Sequence, residues 1–195
     1  EKGAALLSGF KKKVAKKDYH KLIESGKIMG ALARHKVKAG DAFFIPAGRV
    51  HAIGKGIVLA EVQQTSDTTY RIFDYNRPGE DGKPRPLHTR LAKDAINFKP
   101  EKNYKIKYAP KTNAPAQIIK NKFFNVGVIA LSKTLRRDLR AKDSFAIYMC
   151  VQGAARLEAG GGKIKLLKGD SVLVPAEIAD ITLSAKSAKL LEVYR

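Results

Sequence analysis

Residues 40–51 read G-D-A-F-F-I-P-A-G-R-V-H, and residues 169–180 read G-D-S-V-L-V-P-A-E-I-A-D. Both copies run Gly-Asp, a short apolar stretch, then Pro-Ala. Glycine followed by aspartate favours a tight turn. The next four residues, Ala42 to Ile45 or Ser171 to Val174, suit a strand. Proline then ends the ladder, because it has no N–H to donate. A turn, a strand and a stop make the building unit of a small β-barrel or jelly roll. An echo precedes each copy: Gly3-Ala4-Ala5-Leu6-Leu7 before the first, Gly153-Ala154-Ala155-Arg156-Leu157 before the second. The two echoes come in the same order, so the chain reads as two related β units.

The units differ in what separates echo from turn. Gly3 and Gly40 are 37 positions apart, whereas Gly153 and Gly169 are 16 apart. The extra material, residues 12–36, reads as a helical insertion. Asp18 can cap D-Y-H-K-L-I-E-S, Leu22 and Ile23 supply an apolar face, and Gly26 closes the segment. A second short helix is expected over Lys27–Arg34. After His51, strands are expected over Gly56–Thr65 and Thr68–Tyr75, followed by a polar turn region to Pro86 and a short helix near Leu91–Ile96. Residues 99–115 are polar, contain three prolines and form the best linker. The expectation is a mainly β chain with one unit over about 1–105, carrying the helical insertion, and a second over about 110–195.

The chain has 195 residues, 44% of them hydrophobic and 29% charged, which is enough apolar material for a true core. Lys+Arg number 38 against 18 Asp+Glu, a formal charge of +20. Such an excess fits an anionic partner: nucleic acid, a membrane surface or a phosphorylated small molecule. The lysines are dispersed, and no zinc-finger, basic-zipper or RNP-like pattern accompanies them, which argues against nucleic acid. No apolar run approaches the roughly 20 residues that span a bilayer, and no signal peptide is recognisable, so no membrane role is expected. The one cysteine, Cys150, lies in an apolar run and reads as a buried core thiol, in keeping with a reducing, cytoplasmic setting. The chain opens on Glu1 directly at a strand-like segment, as if inside a domain.

Of the four histidines, His51 stands where a jelly roll projects side chains into its mouth. Glu61, Asp67 and Arg71 come next, on the expected strands. His20 and His35 belong to the insertion, and His88 follows a loop. No set of three residues has metal-ligand spacing. The residues alone lead to a two-unit β protein with a polar cluster near His51.

The stretch P-A-G-R-V-H-A-I-G-K-G-I-V-L-A-E-V-Q-Q-T-S-D-T-T-Y-R (Pro46–Arg71) resembles the signature of type I mannose-6-phosphate isomerases in their short bacterial form. The flanking Val37–Gly48 and Arg71–His88 extend the likeness, and the second unit is similar to the family's C-terminal domain by a weaker pattern. The resemblance implies two cupin (jelly-roll) units: a partial catalytic cupin over 1–105 and a C-terminal cupin over 110–195. It implies one Zn2+ whose last ligand is His51, with the other ligands on strands upstream of Glu1. It makes Arg71, at the end of S-D-x-x-x-R, the catalytic arginine. Asp67 would line the site, and Glu61 would stand near the metal; either is a candidate proton shuttle. Arg49 and Lys55 are candidate anchors for the phosphate of a sugar phosphate substrate. In the second unit Asp180 replaces His51 and Glu177 replaces Gly48, which implies no metal there. A non-catalytic sugar-binding cupin is the rival reading, and a nucleic-acid binder rests on charge alone.

Overall fold

The computed structural model describes residues 1–66, 68–75 and 77–195. They form two compact units, one of residues 1–59 and 65–106, the other of residues 60–64 and 107–195. The fold is mainly β, as the sequence predicts.

The first unit is built on β1 (Ala5–Phe10), which is flanked by β2 (Leu32–Lys36) and by β4 (His51–Ile53), both antiparallel to it. Register pairs Leu6 with His35 and Ile53, and Ser8 with His51, so these five side chains share one face. Leu7 pairs with Arg34 and Ala52 on the other face, which packs on the helical insertion. That insertion contains α1 (Tyr19–Glu24) and α2 (Ile28–Ala31). Phe10, Tyr19, Ile28 and Leu32 are the buried centre of this packing, with Phe98 stacked on Phe10 at 5.7 Å between ring centroids. The second helix is shorter than expected: from Leu32 the chain is strand, because β1 offers a ladder there. A two-residue pair joins β3 (Ala42–Phe43) to β5 (Lys105–Ile106), and a last helix, α3, covers Thr89–Ala95.

The strands expected over 56–65 and 68–75 are not formed by the described residues. This stretch is rich in β-branched and aromatic side chains, but a strand needs a neighbour to pair with, and propensity cannot replace the ladder. Val58 is left 97% exposed.

The second unit is one curled sheet. β6 (Pro115–Lys120), β7 (Asn125–Leu131), β13 (Ala188–Tyr194), β9 (Ala146–Ala159), β12 (Asp180–Ser184) and β8 (Leu135–Asp138) lie side by side in that order. β10 (Gly162–Leu167) and β11 (Ser171–Val174) also pair with β9. β9 is 14 residues long and changes neighbours along its length: Ala146–Met149 pairs with β11, and Ala154–Ala159 with β10. Between the halves, Gly153 takes φ 72°, and a Cβ there would collide with the Ser187 carbonyl. The register of β13 against β9 slips at the same place, between Lys189 and Leu190. One bulge thus bends the sheet around a core that includes Ile129, Tyr148, Leu157, Leu183 and Leu190. Cys150 is buried in that core, and burial raises its thiol pKa.

One charge is buried with its partners inside this unit. Glu192 accepts a hydrogen bond from the Tyr148 hydroxyl at 2.6 Å, from Arg137 at 2.9 Å and from Lys142 at 3.2 Å. Burial opposes ionisation of Glu192, yet Tyr148 and Arg137 hold its pKa below the usual range.

The sequence repeat is also a repeat of hydrogen bonds. The Asp41 N–H donates to the Lys38 carbonyl at 3.0 Å, and the Asp41 carboxylate accepts the Lys38 N–H at 2.9 Å. In the second copy Asp170 and Leu167 make the same two bonds at 2.9 and 2.8 Å. Gly40 and Gly169 take φ 90° and 101° to permit the turn. Downstream, Arg49 N–H bonds to Pro46 O and Ile178 N–H to Pro175 O, both at 3.1 Å, and the next strands begin at the matched positions His51 and Asp180. The two proline turns differ in type. Gly48 has φ 82°, as the third residue of a type II turn requires, whereas Glu177 has no positive φ.

Gly48 is also pressed against α3, where a Cβ would collide with the Ala95 carbonyl. We therefore expect Gly48→Ala to destabilise the first unit by about 1–3 kcal/mol. Glu177→Gly should change stability by less than about 1 kcal/mol. Urea unfolding of the two variants checks the contrast. Equal effects would mean the two turns are interchangeable.

Candidate active site

His51 opens β4 directly after the type II turn, and its side chain is exposed on the face shared with Leu6, Ser8 and His35. Its Nδ1 lies 3.0 Å from the Arg49 carbonyl oxygen. A carbonyl only accepts, so in the neutral ring Nδ1 carries the proton and Nε2 keeps its lone pair. The backbone therefore fixes the tautomer that presents Nε2 outward as a ligand or base. Beside it, Ser8 is fully buried and its hydroxyl has no partner. His35 is engaged by other partners: Nε2 is 3.3 Å from the Ser8 carbonyl, and the ring packs on Tyr104 at 5.1 Å.

Arg71 lies in the strandless segment but is firmly held. Its N–H donates to His88 Nδ1 at 3.1 Å, and the His88 N–H donates to the Arg71 carbonyl at 2.7 Å. Its Nη1 reaches the Pro86 carbonyl at 3.4 Å, and its Nε is 3.8 Å from the Asp74 carboxylate. Val50 and Ile72, the chain neighbours of His51 and Arg71, pack against the same core of the first unit.

Asp74 is the centre of charge here. It is 7% exposed and receives Arg77 Nη2 at 3.0 Å and Arg85 Nε at 2.7 Å; Arg85 Nη2 also bonds to it. The Arg85 hydrogen bond, working against burial and aided by Arg77, lowers the carboxyl pKa to about 2. The spacing R-x-x-D-x-x-R from Arg71 to Arg77 is visible in the sequence. Arg85 and His88 join through a loop that only the fold closes.

The other expected site residues are placed differently. Arg49, expected as a phosphate anchor, is turned inward. Its guanidinium bonds to Glu101 and to the Phe44 carbonyl, lies 5.2 Å from the Tyr104 ring centroid and is almost wholly buried. Lys55 is exposed in the turn after β4. Glu61 is exposed and belongs to the stretch 60–64 that groups with the second unit. Asp67 lies outside the described residues. Among the described residues no three His, Cys, Asp or Glu side chains come together as a metal-ligand group. His51 offers one suitable nitrogen, and a zinc site uses three or four protein ligands, so the residues described do not fit a zinc ion by themselves. In the second unit Asp180, the counterpart of His51, is exposed at the start of β12.

Residues 116–195 match the family profile described as mannose-6-phosphate isomerase, cupin domain. The chain is 34% identical over 185 residues to the mannose-6-phosphate isomerase ManA of Bacillus subtilis (strain 168), covering 94% of this chain and 58% of that protein. It is 31% identical over 179 residues to the mannose-6-phosphate isomerase of Streptococcus mutans serotype c, covering 91% of this chain and 56% of that protein. Among solved structures, the mannose 6-phosphate isomerase from Bacillus subtilis matches 100% of this chain and 62% of its own, with a TM-score of 0.87 and 28% identity. The chain thus spans a little over half the length of the curated relatives it matches.

The depressed pKa of Asp74 sets a pH dependence. A carboxyl whose folded pKa lies below its unfolded value stabilises the fold fully above about pH 4, and this is lost as pH falls through about 2. The amide protection of His88, whose N–H donates to the Arg71 carbonyl, should therefore persist at pH 4 and disappear as pH approaches 2. Hydrogen exchange followed by NMR across that range is the check. Loss of protection already complete near pH 4 would show that Asp74 does not hold the segment.

Proposed function

We propose that this chain, whose sequence matches the C-terminal portion of mannose-6-phosphate isomerases, serves in the interconversion of mannose 6-phosphate and fructose 6-phosphate. The observation that carries the reading is the fold match to the Bacillus subtilis isomerase, which runs through all of this chain at a TM-score of 0.87. In this proposal the first unit is the remaining part of a catalytic cupin and the second is a cupin without metal. On this reading, ligands beyond those described would complete the site.

Aldose–ketose isomerisation moves a proton between C2 and C1 and passes through an enediol whose oxygens gain negative charge. Arg71 supplies a guanidinium held by the Pro86 carbonyl and Asp74, on a backbone tied to His88, before substrate arrives. A cation held in place in advance stabilises developing charge without reorganising at the moment of reaction. Asp67 and Glu61 are the candidate proton shuttles, since a positioned carboxylate can take and return the proton. His51, whose Nδ1 faces the Arg49 carbonyl, would offer Nε2 as one ligand if further residues completed a zinc site, where the metal would supply Lewis acidity. Loss of His51 would then remove metal and activity together.

In the complete enzyme, Arg71→Lys should lower kcat by roughly 100-fold or more while KM and zinc content stay close to normal. Steady-state isomerisation of mannose 6-phosphate, with zinc measured on the same samples, is the test. Near-normal turnover in Arg71→Lys, or an activity loss that tracks zinc loss, would assign Arg71 a structural role only. A complete enzyme with no isomerase activity would remove the reading altogether.

A further inference from the structure

We propose that Arg77 and Arg85, assembled on Asp74 beside Arg71, form a seat for the phosphate monoester of a sugar phosphate. This rests on the isomerase reading and names the part of the site that holds the non-reacting end of the substrate.

One buried carboxylate needs one guanidinium to neutralise it, and Arg85 already supplies a two-point contact through Nε at 2.7 Å and Nη2. Arg77 Nη2 is nevertheless drawn to the same carboxylate at 3.0 Å, and Arg71 Nε lies 3.8 Å from it. The cluster therefore keeps two positive charges in excess. Like charges crowded on one partner repel, so a fold that assembles them carries an electrostatic conflict that an incoming dianion relieves. A phosphate monoester near neutral pH brings between one and two negative charges.

Side-chain exposure rises from 6% at Asp74 to 23% at Arg71, 36% at Arg85 and 62% at Arg77, so the carboxylate is the floor and the guanidiniums face outward. Arg77 spends Nε and Nη2 on the Asp74 carbonyl and carboxylate. Arg85 likewise spends Nε and Nη2 on Asp74. Nη1 of each is absent from these bonds, and a phosphate oxygen accepts from such a group with the planar geometry that guanidinium favours. The Arg77 guanidinium is further steadied 5.7 Å from the Tyr75 ring centroid. The nearby Asp81 carboxylate accepts the Lys83 N–H at 3.1 Å.

Of the two residues expected for this task, Lys55 is exposed in the turn after β4 and Arg49 is occupied elsewhere. Arg49 has its guanidinium committed to Glu101, Phe44 and Tyr104 inside the first unit. Arg77 and Arg85 share their carboxylate with Arg71, so one substrate can reach the proposed charge-stabilising arginine and the phosphate seat together.

The test begins with inorganic phosphate titrated into the full chain, monitored by calorimetry and by the arginine side-chain NMR signals. Wild-type protein should bind phosphate, mannose 6-phosphate should compete, and mannose should not. Arg77→Gln removes the most exposed of the three guanidiniums and should weaken phosphate binding roughly 10-fold or more in a protein that still unfolds cooperatively. Arg85→Lys, which keeps the charge and loses the fork, should also weaken it. Lys163→Gln in the second unit removes one positive charge elsewhere and should have no effect. If Arg77→Gln and Arg85→Lys bind phosphate like wild type, or if Lys163→Gln weakens it equally, the seat does not exist. In the complete enzyme, Arg77→Gln should raise KM for mannose 6-phosphate far more than it lowers kcat. Unchanged KM in an active enzyme overturns the seat alone. An inactive enzyme whose phosphate binding still depends on Arg77 overturns the isomerase reading and leaves the seat standing.

Discussion

A single carboxylate organises the segment that carries the proposed chemistry. The described part of residues 65–88 contains no strand, so the repeated backbone bonding that orders the rest of the chain is missing there. Asp74 takes its place by drawing Arg71, Arg77 and Arg85 to one point, while Arg71 and His88 close the loop through reciprocal bonds. Order achieved this way depends on charge, and so responds to pH and bound anions in a way that a ladder does not. The second unit shows the opposite design. Its buried charge, Glu192, has Tyr148, Arg137 and Lys142 as partners within a closed core, where the network serves packing.

The two units use one local device for different ends. The Gly-Asp turn and the proline turn repeat bond for bond, and the strand after each begins at the same relative position. The pairing of the intervening strands differs. β11 finds four partners on β9, whereas β3 is limited to two residues on β5. The type II turn at Gly48 leads to a histidine with its tautomer fixed by the Arg49 carbonyl, while its counterpart leads to an exposed aspartate.

Features that depend on neighbours in the chain are legible in the sequence. Both turns, the helical insertion, α3 and the buried Cys150 arise from local residue type and apolar spacing. The apolar run after His51 misleads, because its residues favour strand but strand formation is decided by a partner elsewhere. Arg49 stands in the signature and invites a role in binding, yet Glu101 lies 52 positions away and turns it inward. The motif singles out Arg71. The aspartate that holds it is visible in spacing, but its burial and its third arginine are not, because they arise from a loop closed by tertiary contacts.

In the second unit, β13 lies in the middle of its sheet, between β7 and β9. β7, some sixty residues earlier, has β6 on one edge and must wait for β13 on the other. β8 and the second half of β9 wait in the same way for β12. Assembly therefore cannot proceed in the order of synthesis: hairpins such as β9–β10 can form early, but the sheet closes only when residue 194 has left the ribosome. Until then β7 presents an apolar edge, N-V-G-V-I-A-L, with its future neighbour absent. Long-range closure of this kind slows folding and leaves unpaired edges open to other chains, so the yield of folded protein should be governed by the speed of that last pairing step and by chaperone supply during synthesis.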